Sequence, residues 1–401
     1  MSSPNGIKVP STVQLVAFSA LGPFSMHLII PAITPIQNQF GITAGTAALL
    51  ISATLWGIAF STLFFGVLAD RYGRRPMLMV GMGLFVIGSV MGEFGDNATI
   101  VILGRVVQGV GGATGIVISR AVIRDLYTRE KGTSVLAYLT MAVMIAPILA
   151  PAFAGFVVES FGWRRVFDIA AISGFLVFIW LVKSFPETLK DHIPLPNVGA
   201  MINAYIDVLR SRVFVLYSLV GTFVMTGFFS MLSGAPHVAD QAWGIGRDEL
   251  GYYLGLGGLG MMMSTFITAR IAERTDNNQM MLAGLGFIML GSIVIVVLFS
   301  AGVNHPLSLF GPAVITGFGA GFVLPTTTTG ALSVIPKMAG TASGMMTFMQ
   351  FLVAGIAAQA IGYFDHHTAW SVIGFMVVFQ TLAVVTALVA TAAARQLSAA
   401  E

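Results

Sequence analysis

The amino-acid chain consists of long apolar runs separated by short polar connectors. Twelve of these runs reach about 20 residues, the length that an α-helix needs to cross a hydrocarbon core of about 30 Å. The predicted spans are residues 12–34, 46–69, 77–95, 98–122, 134–158, 165–185, 213–236, 250–272, 280–301, 306–329, 341–364 and 370–393. The pattern therefore predicts an all-α membrane protein with twelve transmembrane helices.

One connector is longer and more polar than the others, and it divides the spans six plus six. It contains prolines and charges of both signs. We expect a first six-helix bundle over residues 1–185, a linker over 186–212 and a second six-helix bundle over 213–401.

A short internal repeat relates the two groups of spans. Residues 66–77 align with residues 269–280 at an offset of 203, so that Arg71 matches Arg274. Each copy joins the second span of its group to the third. Internal repeats are common in membrane transporters, and this one predicts two homologous halves.

Composition supports the membrane assignment and excludes several other classes of protein. Apolar residues make up 56% of the chain and charged residues 9%, whereas a soluble domain is about 25% charged. The chain has no cysteine, so a disulfide scaffold and a cysteine-ligated zinc site are excluded. A net charge of +3 gives no reason to expect nucleic acid as a partner.

The basic residues are distributed unevenly between the two sides of the predicted helix array. Sixteen of the 20 Lys and Arg lie on the side of the 66–81 connector, which we call the basic face. Arg164, Arg165 and Arg247 lie on the other side, the opposite face, and Arg105 falls inside a span. Because cytoplasmic loops carry the excess of Lys and Arg, both termini and the linker are predicted to be cytoplasmic.

The connector between the second and third spans carries a specific motif. Residues 66–81 read GVLADRYGRRPMLMVG. This stretch resembles the cytoplasmic loop motif of the major facilitator superfamily. Residues 104–127 and 146–167 narrow the match, because they are similar to segments of the bicyclomycin-resistance (Bcr/CflA) branch of the drug:proton antiporters.

The resemblance is close in the first half and rests in the second half on the span count and the repeat. It implies the major facilitator fold, with two pseudo-symmetric six-helix bundles around a central cavity. It also implies an exporter that works by alternating access and is driven by the proton gradient, with no cofactor.

The motif residues have two interpretations. A basic turn can be a topology anchor, which accounts for the arginines but not for Asp70 or Gly73. Alternatively, Asp70 caps a helix N-terminus, which the resemblance places at Gly340 and Thr341. Under this hypothesis a conformational latch closes when the cavity opens to the opposite face, with Arg74 paired to Asp125. Its predicted members are Gly66, Asp70, Arg71, Gly73, Arg74, Arg75, Asp125 and Gly340.

Arg105 is the first candidate for proton coupling. A guanidinium inside a span costs several kcal/mol unless it faces protein or water, and such residues are usually functional. The resemblance agrees, since an arginine at this place, followed by Gln108 and Gly109, is implicated in proton transfer. The alternative is a structural ion pair with Glu93. Glu93 and Asp168, both near the opposite face, are further coupling candidates.

His27 marks a departure from the family pattern. Many members of the branch carry an aspartate at this place, four residues before Pro31. A histidine has an unperturbed pKa of about 6.5, so His27 either titrates instead of the aspartate or stays neutral and forms hydrogen bonds. His237, His366 and His367 fall at opposite-face connectors and are expected to be solvated.

The fifth span has proline or glycine every four residues, at Pro147, Pro151 and Gly155. Interior prolines bend helices, and small residues permit close helix approach. The pattern indicates packing in any case. By resemblance it is associated with antiport, because a tightly packed fifth helix is thought to seal the cavity against leak.

Methionine and phenylalanine are abundant, and their soft side chains suit a surface that accepts several apolar ligands. Few charges lie on the cavity-lining spans, so a neutral or weakly charged lipophilic substrate is expected. The candidate cavity residues are Phe24, Met26, His27, Gln108, Met144, Phe223, Met225, Phe228, Phe229, Met346, Met349 and Gln350.

The sequence contains no phosphate-binding loop, metal-ligand cluster or nucleophile triad, so neither an ATP-driven pump nor an enzyme is expected. We predict proton-coupled efflux of drug-like or small amphipathic compounds by a monomer in a bacterial inner membrane. Its partners are then the small-molecule substrate, protons and lipid. The alternatives are a transporter of one metabolite and a receptor-like protein without transport.

Overall fold

The computed structural model describes residues 10–127, 129–189, 198–272, 274–335, 338–364 and 367–400, and all regular structure in these ranges is helical. The helices are α1 Thr12–Leu28, α2 Ile33–Phe40, α3 Ala44–Tyr72, α4 Arg74–Phe94, α5 Ala98–Leu126, α6 Arg129–Phe161, α7 Arg164–Ser184, α8 Val198–Arg210, α9 Arg212–Val238, α10 Arg247–Ile271, α11 Asn277–Ser300, α12 Pro306–Ser333, α13 Ala339–Ile361 and α14 Trp370–Ala400. Twelve segments are long and apolar enough to cross a membrane. The prediction of twelve spans is confirmed.

The first span is longer than predicted and is interrupted once. It runs over Thr12–Phe40, and a short 3-10 turn at Ile30–Ala32 separates α1 from α2. Pro31 lies in this turn and has no backbone N–H to donate, so the regular α-helix is broken there. Ser11 and Gln14 form a capping box that fixes the start of α1.

The connector between the sixth and seventh spans contains one additional helix, α8. The hydroxyl group of Tyr205 on α8 donates a hydrogen bond of 2.8 Å to the carbonyl oxygen of Leu63 on α3. Burial raises the pKa of Tyr205, so its hydroxyl group stays a donor at neutral pH. This bond attaches the connector to the first half.

The internal repeat is visible in the hydrogen bonds of the third spans of the two halves. Ser89 on α4 donates to the carbonyl oxygen of Phe85 over 2.8 Å. Ser292 on α11, 203 positions later, donates to the carbonyl oxygen of Ile288 over 2.8 Å. Each serine also contacts a buried glutamine, Gln108 in the first half and Gln380 in the second.

The buried apolar residues divide differently at the two faces. Near the opposite face one continuous cluster joins both halves, with Ile30 and Ala154 from the first and Leu232 and Ala358 from the second. Near the basic face each half has a cluster of its own, one over α1, α4 and α5 and the other over α9, α11 and α13. The halves therefore share an apolar cluster at the opposite face and have separate clusters toward the basic face, where α3 and α13 still touch through Phe60 and Phe348.

Candidate functional site

Arg105 on α5 lies inside the first half, where its side chain is 1% exposed. Its Nε donates to the carbonyl oxygen of Leu50 on α3 over 3.1 Å. Its Nη1 donates to the carbonyl oxygen of Ser25 on α1 over 3.4 Å and to Oε1 of Gln108. One guanidinium group thus connects three helices of this half.

The positive charge of Arg105 has no carboxylate partner among the residues that the structure describes, and its Nη2 has no hydrogen-bond acceptor there. The alternative interpretation, an ion pair with Glu93, is wrong, because the Glu93 carboxylate lies 4.0 Å from Nη1 of Arg165 instead. Neutral carbonyl and amide oxygens solvate Arg105. A buried charge without a counter-charge is costly, which favours a functional role.

His27 on α1 has a defined tautomer. Its Nδ1 lies 2.8 Å from the carbonyl oxygen of Pro23, and because a carbonyl oxygen only accepts, Nδ1 must carry a proton. In the neutral ring Nε2 is then an acceptor, and it has no hydrogen-bond partner in the described part of the chain. The ring faces Phe228 of the second half, with ring centroids 6.4 Å apart. His27 therefore presents a basic nitrogen beside the interface between the halves.

Two helix pairs form most of the interface near the opposite face, and α3 with α13 is the first. Gln359 on α13 donates from Nε2 to the carbonyl oxygen of Gly45 over 2.7 Å. Its Oε1 accepts from the hydroxyl group of Ser52 over 2.7 Å. The glutamine thus bridges the two halves. Nothing in the sequence indicated this role for Gln359, because its two partners, Ser52 and Gly45, lie in the other half.

The second pair is α6 with α10, and it contains the predicted proline and glycine positions of the fifth span. A Cβ atom on Gly155 would lie 2.4 Å from the carbonyl oxygen of Arg247. A Cβ atom on Gly251 would lie 2.4 Å from the carbonyl oxygen of Pro151. Only glycine allows this approach of the two backbones.

The end of the same pair carries a weak electrostatic contact. Nη1 of Arg247 lies 3.7 Å from Oε2 of Glu159, and both side chains are largely solvated. Surface pairs of this kind contribute little to stability, so packing holds these helices together. Pro147 lies buried in the same helix. The role of Pro147, Pro151 and Gly155 in antiport stays a prediction.

Two halves of six spans that meet at one face form the arrangement seen in several solved transporters. A crystal structure of a D-xylose-proton symporter aligns with 94% of this chain and 96% of its own, with a TM-score of 0.74 at 17% identity. At this identity the likeness shows the fold alone. The family profile of the Major Facilitator Superfamily matches residues 15–358. The chain belongs to the Major Facilitator Superfamily.

Relatives of this major facilitator include two resistance proteins. The bicyclomycin resistance protein homolog of Haemophilus influenzae is 25% identical over 363 residues, 89% of this chain and 90% of the relative. Multidrug resistance protein D of Escherichia coli is 25% identical over 358 residues, 86% of this chain and 87% of the relative. The chain is a multi-pass membrane transporter, not an enzyme.

The loop motif of this major facilitator forms an ion-pair network within the first half. Nη2 of Arg74 lies 2.5 Å from Oδ1 of Asp70 and 3.0 Å from Oδ2 of Asp125. The start of α13, at Gly340, has no side-chain cap. Asp70 therefore contacts Arg74 and not the described residues at the start of α13. The Arg74–Asp125 pair, which the latch hypothesis expected only when the cavity opens to the opposite face, is formed here although the halves pack together at that face, so this part of the hypothesis is wrong. A latch between Asp70 and the start of α13 stays a prediction.

A residue that the sequence interpretation missed organises the same loop. Oε1 and Oε2 of Glu187, just past the sixth span, accept the backbone N–H groups of Arg74 and Arg75 over 3.0 and 3.1 Å. The carboxylate thus caps the N-terminus of α4. Gly73 precedes it with a φ of 103°, and a Cβ atom there would lie 2.5 Å from Oε2 of Glu187.

The other motif positions have simpler surroundings. Nη2 of Arg75 donates to the carbonyl oxygen of Val182 over 2.8 Å. A Cβ atom on Gly66 would approach only Val117, at 3.9 Å, so this conformation does not require glycine there. Arg71 is exposed. Of the two predicted latch glycines in this motif, Gly66 and Gly73, only Gly73 thus has a steric reason.

Glu93 and Asp168 lie together at the opposite-face end of the first half, apart from Arg105. Arg165 is hydrogen-bonded to Asp168 and lies 4.0 Å from Glu93. The sequence placed both acids near this end, and the structure adds that they share one arginine. Their role in coupling stays a prediction.

The predicted cavity residues separate into groups. Phe24, Met26, Met225, Phe228 and Phe229 pack in the apolar cluster that joins the halves. Phe223, Met346 and Met349 belong to the basic-face cluster of the second half.

The remaining predicted cavity residues are two glutamines and a methionine. Gln350 lies beside Met346, within reach of a Cβ atom on Gly221. Gln108 is 1% exposed and bonded to Arg105. Met144 is half-buried on α6.

The expectation for His237 is wrong. The side chain is 1% exposed near the end of α9, because this helix continues through Pro236 and a π-turn covers residues 239–243. His367 is exposed, as expected. His366 lies outside the described residues.

Proposed function

We propose that this major facilitator exports neutral or weakly charged lipophilic compounds from the cytoplasm in exchange for protons. The observation that supports the proposal is a pair of buried groups in the first half. Arg105 is a cation without a counter-charge among the described residues, and Nε2 of His27 has no hydrogen-bond partner there and lies beside the interface.

Their geometry supports competition between proton and substrate. The Ser25 carbonyl oxygen, which accepts from Arg105, lies two residues before His27 on α1. A proton on Nε2 of His27 places a positive charge on α1, close to the Ser25 carbonyl oxygen that accepts from Arg105, and this charge repels that of Arg105 on α5. Protonation then disfavours the packed interface around Phe228, while loss of the proton favours binding of an uncharged substrate there.

The orientation follows from the charge distribution. With the basic face in the cytoplasm, the conformation described above opens inward and is closed at the periplasmic side by α3 with α13 and α6 with α10. Substrate would enter from the cytoplasm or the inner leaflet of a bacterial inner membrane. A monomer suffices, since each element named above belongs to one chain.

The names of the relatives support a drug-like substrate. One is a bicyclomycin resistance protein homolog and another a multidrug resistance protein. The apolar cluster around Phe24, Met225 and Phe228 offers aromatic and thioether surfaces without fixed charge, which suit neutral lipophilic molecules.

Transport in liposomes tests the proposal. Purified protein is reconstituted, an acidic interior is imposed, and uptake of bicyclomycin, chloramphenicol and tetraphenylphosphonium is measured with and without a protonophore. Uptake of more than one of these compounds that collapses with the protonophore is expected. No proton-dependent movement of any compound would refute antiport, and a response confined to one compound would indicate a dedicated metabolite transporter.

A further inference from the structure

A small, partly open cavity lies in the second half, next to the apolar cluster that joins the halves. Its volume is about 30 Å³, and residues of α9, α10, α11, α12 and α14 line it. The walls are Val224, Phe228, Met231, Gly257, Ile288, Ala313, Thr316, Gly317, Ala320, Met376 and Gln380. The space is large enough for a water molecule or a small functional group.

The cavity has two polar groups and no charged one. The Thr316 hydroxyl group donates to the carbonyl oxygen of Ala313 over 3.0 Å, which leaves its oxygen able to accept a further bond. The Gln380 side chain is 5% exposed. Because no carboxylate, amine or guanidinium group lines the walls, the cavity disfavours a charged occupant.

Gln380 is incompletely paired. Its side chain is bonded to Ser292, whose hydroxyl group also lies 2.8 Å from the carbonyl oxygen of Ile288. Whichever way the amide is turned, its other polar atom has no hydrogen-bond partner among the described residues, and Gln380 lines the cavity. A group that enters the cavity and bonds to this atom gains one hydrogen bond.

The ring of Phe228 belongs both to the cavity and to the interface between the halves. It forms part of the cavity wall, and its centroid lies 6.4 Å from that of the His27 ring in the other half. It also contacts Phe229 edge-on at 5.4 Å. Rotation of this one side chain would therefore change the access from the space beside His27 to the cavity.

We propose that the cavity is a substrate subsite that receives a small uncharged hydrogen-bonding group, such as a hydroxyl, carbonyl or amide, when the Phe228 ring turns aside. The rest of the substrate stays at the interface between the halves. This inference rests on the proposed transport of neutral lipophilic compounds and specifies which of them bind well. It assigns Gln380 to recognition and Phe228 to access.

The absence of native cysteine allows a direct test by binding. The Ala320→Cys variant carries a single thiol in the cavity wall, and its reaction with a small neutral maleimide is followed in detergent without a proton gradient. Chloramphenicol or bicyclomycin should slow the reaction at least about fivefold, and tetraphenylphosphonium, which has no hydrogen-bonding group, should not. The Ala392→Cys variant, on the exposed end of α14, is the matched control and should show no protection.

Two further variants test the assigned roles. Phe228→Ala should speed labelling of the Ala320→Cys thiol, since the wall is removed. Gln380→Met, close in volume, should weaken chloramphenicol binding about five- to tenfold, as expected for one lost hydrogen bond, and leave tetraphenylphosphonium binding unchanged. Ala320→Leu, which fills the cavity, should have the same selective effect if Gln380→Met folds poorly.

The outcomes separate this inference from the proposed function. If the wild type transports the neutral compounds but neither drug protects the thiol, or the variants bind both classes of compound like the wild type, the subsite is refuted and antiport stands. If the drugs protect the thiol but no compound moves with protons, the subsite stands and antiport is refuted. If the cavity holds only structural water, neither drug will protect the thiol, and the subsite is refuted.

Discussion

His27 illustrates how one backbone contact sets the chemistry of a side chain. The carbonyl oxygen of Pro23 holds the proton on Nδ1 and leaves Nε2 free to take another. An aspartate at this position would lose this directionality, because its two oxygens are equivalent. The departure from the family pattern therefore places a basic nitrogen, with a known orientation, beside Phe228.

We predict that His27→Gln removes proton coupling but keeps substrate movement. The glutamine is polar and neutral and cannot titrate, so the dependence of the transport rate on pH should largely disappear. Counterflow of labelled substrate without a gradient should persist. His367→Gln, at an exposed position, is the control, and an unchanged pH profile in His27→Gln would show that another group carries the proton.

We predict that Arg105→Lys lowers the transport rate about tenfold or more although the charge is kept. A lysine ammonium group is a point charge and cannot reach the Leu50 and Ser25 carbonyl oxygens together with the Gln108 amide as the guanidinium group does. Initial uptake rates in liposomes measure the effect. Arg210→Lys, on exposed α8, serves as control, and wild-type rates in Arg105→Lys would show that charge alone matters.

The sequence was sufficient to identify Arg105 but not its surroundings. Its position inside an apolar run is visible in the residue letters, whereas its acceptors at Leu50 and Ser25 are backbone atoms that any residue could supply. Glu93 was the only nearby acid by depth, and it faces Arg165 instead. Glu187 was missed because a carboxylate after a span looks like an ordinary connector residue until the start of α4 is placed against it.

At the scale of the elements, the apolar runs predicted all twelve spans because length and hydropathy are local properties. The 3-10 interruption at Pro31 and the continuation of α9 past Pro236 were not predicted. Whether a proline interrupts a helix, as Pro31 does, or is tolerated inside it, as Pro236 is, depends on the neighbouring helices and not on the local sequence. Helix α8 was not predicted, because it lies in a polar connector without a long apolar run. It is attached to the first half by the hydrogen bond from Tyr205 to the Leu63 carbonyl oxygen.

The connection from α3 to α4 yields a prediction about stability. Gly73→Ala should lower the unfolding temperature in detergent, because a φ of 103° strains any side chain by about 1–3 kcal/mol and the new Cβ atom would displace Glu187. Glu187→Gln should lower it less, by the loss of a charged cap worth about 1 kcal/mol.

The matched control for both variants lies on α4 itself. Gly83 is helical and has no atom within 4 Å of a built Cβ position, so Gly83→Ala should be neutral or slightly stabilising. Equal effects of Gly73→Ala and Gly83→Ala would contradict the steric account of the motif glycine.

At the scale of the whole molecule, the division of the apolar core determines the conformation. One cluster joins the halves near the opposite face, and separate clusters stabilise each half near the basic face. Rocking of the halves must therefore break the shared cluster and can leave the two separate ones intact. The sequence predicted two halves but not which ends are in contact, because the same residues serve both conformations.

We predict that Gln359→Leu shifts the population toward the state that opens at the opposite face. The variant removes two hydrogen bonds between the halves, each worth about 1 kcal/mol. In a Thr34→Cys background the buried thiol should react with a membrane-impermeant reagent about tenfold faster. Gln396→Leu, at an exposed site, is the control, and an unchanged labelling rate would show that Gln359 does not hold this interface.

The contact of Gly155 and Gly251 with backbone carbonyl oxygens has a consequence for how this transporter acquires new substrates. Because this contact between α6 and α10 is made by main-chain atoms, it does not depend on the identity of the side chains around it. Residues that we propose contact the substrate, such as Phe228, can therefore be exchanged without a change in this helix contact. The helix contact and the proposed binding surface are thus separate, and substitutions at the second can alter the range of substrates while the first is kept.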